Sequence, residues 1–182
     1  MYKKYIKRLL DIIFSIILIV IFFPIFIIIG IICLIITGKV IFKQNRDGLN
    51  KKSFVIYKFS SIKEDRTYSK VLNFIRSFGL DELPQLINIL KGDMSFIGPR
   101  PFITGEVLPP DYIDPLIYSV KPGVISLATA NGRRRISHKM RLAFDLEYVS
   151  NVTFQSDISI IFKTIGVLFK QNIHGDGEGQ TK

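Results

Sequence analysis

Asp81 and Glu82 stand side by side in Phe78-Gly-Leu-Asp-Glu-Leu-Pro-Gln-Leu86, with Arg76 before them and Arg100 after. Carboxylates among cations suit phosphate handling, because an ionised aspartate serves as a nucleophile or as a magnesium ligand. Leu83, Leu86, Ile87 and Leu90 recur at helical spacing, which predicts a helix with Asp81 at its N-cap. Pro84 then falls at the third helical position, where its missing N–H has no intrahelical partner to lose. At such a terminus the free N–H groups and the helix dipole favour anions and keep Asp81 ionised. Duty as a cap and a first-turn charge would also account for both residues, so spacing alone leaves chemistry and capping open. Glycoside hydrolysis is excluded. It needs two carboxyl groups facing across a bond at roughly 5–9 Å, and adjacent residues point in different directions. Gly92 closes the predicted helix, and Gly98-Pro-Arg-Pro101 makes a stiff turn with a guanidinium at its centre.

The run Leu80-Asp-Glu-Leu-Pro-Gln-Leu86, followed by Leu90-Lys-Gly-Asp-Met-Ser-Phe-Ile-Gly-Pro-Arg-Pro101, resembles the signature of the small monotopic phosphoglycosyl transferases, the bacterial sugar transferase family. The similarity extends through Val40-Ile-Phe-Lys-Gln-Asn-Arg46, Ile56-Tyr-Lys-Phe59, Lys121-Pro-Gly123 and Asn131-Gly-Arg133, covering the chain to about Lys170. The resemblance implies transfer of a sugar-1-phosphate from a UDP-sugar to polyprenyl (undecaprenyl) phosphate, with release of UMP, as the first membrane step of glycoconjugate assembly. It implies an aspartyl phosphosugar on Asp81, Mg²⁺ held by Asp81 and Glu82, and anion stabilisation by Lys58, Arg76, Arg100 and Arg133. It also implies a bacterial inner membrane location with the catalytic domain facing the cytoplasm. A monomer and a homo-oligomer both remain open. The chain departs from the family pattern at Ser60-Ser-Ile62, at Ser126, Leu127 and Thr129, and at Arg134, where a neutral residue is more usual. Without the resemblance, Lys58 reads as an ordinary strand lysine turned to water.

The elements that must carry these residues follow from composition. The chain has 182 residues and a formal net charge of +10, enough for one compact domain with a membrane element. Such a charge admits nucleic acid, an anionic membrane or phosphorylated substrates. The apolar run Ile12 to Ile36 favours the membrane surface, and no aromatic residues interleave Arg133–Arg135 to stack on bases, which argues against nucleic acid. That run holds no charge and is long enough to cross a bilayer. It is too long for a cleaved signal peptide and no small-residue cleavage pattern follows it. Two features favour re-entry: Pro24 at its middle, and basic residues on both flanks, from Lys3 to Arg8 and from Lys39 to Lys52. A kinked bitopic anchor is the competing topology. Family members are monotopic, with the helix broken at a Ser-Pro pair; here the pair is Phe23-Pro24. Asp11, one turn after Lys7, is expected to pair with it at the headgroups. Cys33, the only cysteine, excludes an intrachain disulfide and is expected to be a lipid-facing thiol.

Val40–Gln44 and Ser53–Phe59 read as two strands of a hairpin, joined through Asp47-Gly48 and Asn50-Lys51. A helix is expected from His138 towards Val149, and no second histidine at ligand spacing joins His138 to make a zinc site. Ile158, Ile161, Phe162, Ile165, Leu168 and Phe169 trace one face of a further helix, suited equally to core packing and to a membrane surface. The expected fold is therefore α+β and mostly helical. Residues 1–38 form a re-entrant membrane helix kinked at Pro24, and 39–173 a catalytic domain with a short β-hairpin and interfacial amphipathic helices. Residues 174–182 form a disordered tail. The rival reading is a catalytically silent, membrane-anchored basic interaction module. Asp81 and Glu82 amid Arg76 and Arg100 argue against it, since a silent module has no need of carboxylates among its cations.

Overall fold

The computed structural model describes residues 2–63, 69–107, 114–131 and 136–173. After one wide turn at Tyr2–Ile6, helix α1 runs from Lys7 to Thr37 and ends where Gly38 turns left-handed. Its apolar sequence supports one helix of this length because few other residue types interrupt it, and Pro24 lies inside it without ending it. Ile16, Val20, Ile21, Phe23, Ile28, Ile31 and Ile35 are exposed along α1, and it is the one described helix long and apolar enough to cross a membrane. The rest of its surface is packed. Leu18, Ile19 and Phe26 cover Ile56, Leu86, Ile89 and Met94, while Ile29 and Cys33 join Phe59, Leu72 and Ile75.

Two expectations about α1 are corrected by this packing. Cys33 is fully buried against the domain and does not face lipid. Lys7 pairs with Asp157, at 2.5 Å, and leaves Asp11 to accept from Ser95 Oγ and from the Phe96 backbone N–H, each at 3.1 Å. Both acids are buried, and each serves as a joint between α1 and a distant part of the chain. Tyr2 and Tyr148 also donate to Asp157. Arg8 donates to the Ile89 and Leu90 carbonyls, and the Ile89 carbonyl also accepts from the Gly92 backbone N–H at 3.0 Å.

The hairpin forms as expected but its first strand is longer and begins one residue later: β1 is Ile41–Asp47 and β2 is Ser53–Phe59, in antiparallel register with Gln44 opposite Ile56. Asn50 and Lys51 at the connection have positive φ. Helix α2 spans Lys70–Ser77, capped by Ser69, and α3 spans Gln85–Lys91. Asn88, wholly buried on α3, accepts from the Tyr57 N–H and donates to the Val55 carbonyl, so it completes the open edge of β2. A second pairing, absent from the sequence reading, joins β3 (Ser95–Ile97) to β4 (Gly123–Ile125) in parallel. It brings Gly98 of Gly-Pro-Arg-Pro against Gly123 of Lys-Pro-Gly so closely that a Cβ on either would collide with the other's backbone.

Helix α4 (Leu127–Ala130), helix α5 (His138–Ser150) and helix α6 (Phe154–Ile173) complete the fold. Leu127, Ala130, Tyr148, Val149 and Ile160 pack on Ile97 to form the third apolar cluster. On α6, Ile160 and Ile161 face this core while Ile158, Phe162 and Ile165 are exposed, so of the foreseen stripe Ile161 packs on the core and these three do not. The tail at 174–182 lies outside the described residues.

Candidate active site

Asp81 and Glu82 sit in a single 3₁₀ turn, Leu80–Glu82, that leaves Gly79 in a left-handed conformation and precedes α3. This overturns the expected cap. Pro84 occupies the position before α3, and the Asp81 carboxylate turns away from the helix to accept from Ser61 Oγ at 3.2 Å. The helix terminus therefore does not keep Asp81 ionised. Burial, then the neighbouring Glu82 charge, raise its pKa above the usual carboxylate value; Lys58, Ser61 and Arg76 pull the other way without prevailing.

Lys58 projects from β2 to pair with Glu82 at 2.6 Å, both side chains partly exposed. Strand β1 contributes Arg46, which donates to the Pro101 carbonyl at 3.0 Å and to Gln44 at 2.6 Å. Its buried Nε has no partner. Arg100, exposed on the turn after β3, completes the wall. Lys58, Glu82, Arg46, Arg100 and the buried Gln85 line one cleft. A second, smaller cleft is walled by Phe102, Ile117 and Tyr118 and shares Arg100 and Pro101 with the first.

Of the residues singled out by sequence, Lys58, Glu82 and Arg100 meet in the cleft, and Asp81 stands beside it. Arg76, on α2, acts on Asp81 through its charge and makes no ion pair with it. Arg133 lies outside the described residues. Pro24 is on the exposed side of α1, away from the cleft. Sequence reasoning missed Arg46 as part of the cleft, although it ends one of the quoted motifs. It also missed Ser61, which sits in the segment that departs from the family pattern.

Three cations and one carboxylate around an open cleft make a receptor for a doubly or triply charged anion such as a diphosphate. A hard divalent cation fits the acidic side. Asp81 and Glu82 offer only oxygen donors, and no group of three or more acidic, histidine or cysteine ligands exists among the described residues. An ion held there would draw its remaining ligands from phosphate and water, the habit of Mg²⁺ rather than of zinc.

The chain matches the family model described as bacterial sugar transferase over residues 2–171. It is 34% identical to the undecaprenyl-phosphate galactose phosphotransferase of Salmonella typhimurium, over 93% of this chain and 41% of that protein. It is 34% identical to the UDP-glucose:undecaprenyl-phosphate glucose-1-phosphate transferase of Escherichia coli K12, over 89% of this chain and 40% of the relative. With the uncharacterized sugar transferase EpsL of Bacillus subtilis it shares 37% identity, over 75% of this chain and 73% of that one. The chain thus spans about two fifths of the first two relatives and most of the third.

Proposed function

The chain belongs to the bacterial sugar transferase family, and on that premise we propose that it transfers a sugar-1-phosphate from a UDP-sugar to undecaprenyl phosphate, releasing UMP. The observation that carries this reading is the cleft itself: Glu82 and, beside it, Asp81, set against Lys58, Arg46 and Arg100. The names of the two enzymatic relatives supply the donor and acceptor classes.

In the first step an Asp81 oxygen attacks the β-phosphorus of the donor. The new O–P bond forms as the bond to the bridging oxygen breaks, and UMP leaves with that oxygen and its electron pair. In the second step an oxygen of the lipid phosphate attacks the same phosphorus and Asp81 departs as carboxylate. Lys58, Arg46 and Arg100 neutralise charge on the phosphates, with Arg76 and Arg133 as further cations. Glu82 is the dyad partner, assisting the acceptor or joining Asp81 in holding Mg²⁺, which would supply charge neutralisation on the diphosphate.

The acceptor's isoprenoid tail requires a site at the bilayer surface, and α1 meets that need. We assign residues 1–38 to a re-entrant membrane element and 39–173 to a catalytic domain on the cytoplasmic face of the inner membrane. Arg8 and Asp11 near one end of α1, and Cys33 near the other, all rest on the same body of residues, which supports re-entry. A straight crossing helix would separate Arg8 from Cys33 by about 38 Å, more than the hydrocarbon thickness, and could not keep both ends on one domain.

The test is UMP release by purified protein in detergent with undecaprenyl phosphate and a panel including UDP-glucose and UDP-galactose. At least one donor should release UMP, with dependence on the lipid phosphate, loss in EDTA and recovery with excess Mg²⁺. No release from any UDP-sugar would remove the reading, and full activity in EDTA would remove the metal from it.

A further inference from the structure

The polar side chains that line the main cleft are accounted for, with one exception. Lys58 and Glu82 pair with each other at 2.6 Å, and Arg46 spends its outer nitrogens on the Pro101 carbonyl and on Gln44. Arg100 is exposed to solvent. Gln85 is the exception. It is 2% exposed, it lines the cleft, and its carboxamide forms no hydrogen bond with any described residue.

A carboxamide carries two donor hydrogens and an acceptor oxygen, and burying them unmatched is less favourable than burying an apolar side chain of the same shape. The rest of the lining, Ile56, Pro101, Gly123 and Val124, brings no polar side chain to meet them. Packing alone therefore gives no reason for a glutamine here, whereas a polar ligand in the cleft does. Position says which part of the ligand it meets. Leu83 and Pro84 keep helical backbone angles between the Leu80–Glu82 turn and α3, so Gln85 follows Glu82 by three residues and Asp81 by four, one turn on. Lys58, Arg46 and Arg100 outweigh Glu82, so the cleft draws an anion, and the oxygens of a diphosphate accept hydrogen bonds.

We propose that Gln85 binds the phosphoryl group being transferred: its carboxamide N–H donates to a non-bridging oxygen on the phosphorus that Asp81 attacks. This rests on the reading of the cleft as a diphosphate site. The oxygen so held neither makes nor loses a bond to phosphorus in either step. One neutral donor can therefore stay with the group as it passes from the UDP-sugar to Asp81 and on to the lipid phosphate.

Inorganic pyrophosphate is the probe, because it carries phosphoryl oxygens and no sugar, base or lipid. Its binding to full-length protein in detergent micelles is measured by calorimetry, beside thermal unfolding of the same samples without ligand. Gln85→Met keeps the length of the side chain and removes both hydrogen-bonding groups. It should bind pyrophosphate about tenfold more weakly than wild type, the size of one hydrogen bond to a charged group. It should also melt at the same temperature or higher, since an unmatched buried polar group has gone. Gln85→Glu keeps the shape, replaces the donor by a second acceptor, and should lose at least as much affinity. The order in which UDP-sugars are used should not change in Gln85→Met. Wild-type affinity in that variant overturns the proposal, and an altered choice among UDP-sugars with it would assign the amide to the sugar instead. A loss of affinity matched by a fall in melting temperature, or failure of both variants to fold, would make Gln85 a structural residue and also overturn it. So would absence of pyrophosphate binding by the wild type. The transferase reading fails separately, if no UDP-sugar releases UMP while pyrophosphate still binds and the Gln85→Met loss stands.

Discussion

At the scale of residues, the conflict to resolve is that a nucleophilic Asp81 must be ionised while its surroundings favour the proton. Burial is the larger cause and Glu82 the second. The acid limb of activity should therefore lie above the pH at which a free aspartate titrates, since the protonated acid cannot attack. Glu82→Gln removes the second cause and leaves the first, so the residual activity should show its acid limb displaced to lower pH, although its rate falls by about 10²-fold or more. A limb that stays in place or moves up, in a pH profile of UMP release, would show that Glu82 does not act on the nucleophile. The residue types in this site were legible in the sequence because Asp81, Glu82, Lys58 and Arg100 sit in distinctive motifs. Ser61 was not, because a serine in a loop carries no periodic signal. The direction of the Asp81 shift was misread because a cap was inferred from helical spacing, and a 3₁₀ turn intervened.

At the scale of elements, the two proline-glycine motifs prove to be one joint. Gly98 and Gly123 meet across the β3–β4 pairing, and their contact sets where Arg100 leaves the strand. Gly98→Ala should cost about 3 kcal/mol in thermal or denaturant unfolding, as overpacking at a rigid backbone contact does, and should weaken donor binding with it. Gly166→Ala is the control. Nothing lies within 4 Å of a Cβ there, and the position is helical, so stability should be unchanged or raised by up to about 1 kcal/mol. Equal effects of the two changes would remove the joint from the explanation. Neither strand was foreseen, since three residues are too few to display alternation, and parallel pairing brings together segments about 25 residues apart. The hairpin and helices α5 and α6 were legible because each is long enough to repeat its pattern.

At the scale of the whole molecule, the membrane helix and the domain are one packed unit. Asp157 alone takes Tyr2, Lys7 and Tyr148, and Arg8 and Asp11 add direct bonds to the α3 and β3 region. The partners of Tyr2, Lys7, Arg8 and Asp11 were not legible, because joints between residues more than 80 positions apart leave no local trace; the reading of Cys33 as lipid-facing failed because the residues that bury it, Phe59, Leu72 and Ile75, belong to other elements. If both ends of α1 stay with the domain, cysteines at Lys3 and Lys51 should react with a membrane-impermeant reagent from the same side, the cytoplasmic one. The background should be Cys33→Ala, which avoids placing a hydroxyl in an apolar cluster. Labelling from opposite sides would make the helix bitopic. The most direct measurement of the proposed reaction is the intact mass of the protein after incubation with UDP-sugars from the donor panel, in the absence of undecaprenyl phosphate. The expected result is an adduct of one phosphosugar, located at Asp81 by peptide mapping, discharged on adding the lipid phosphate and absent from Asp81→Asn. Sustained UMP release without any adduct, or an adduct that forms equally in Asp81→Asn, would contradict Asp81 as the nucleophile.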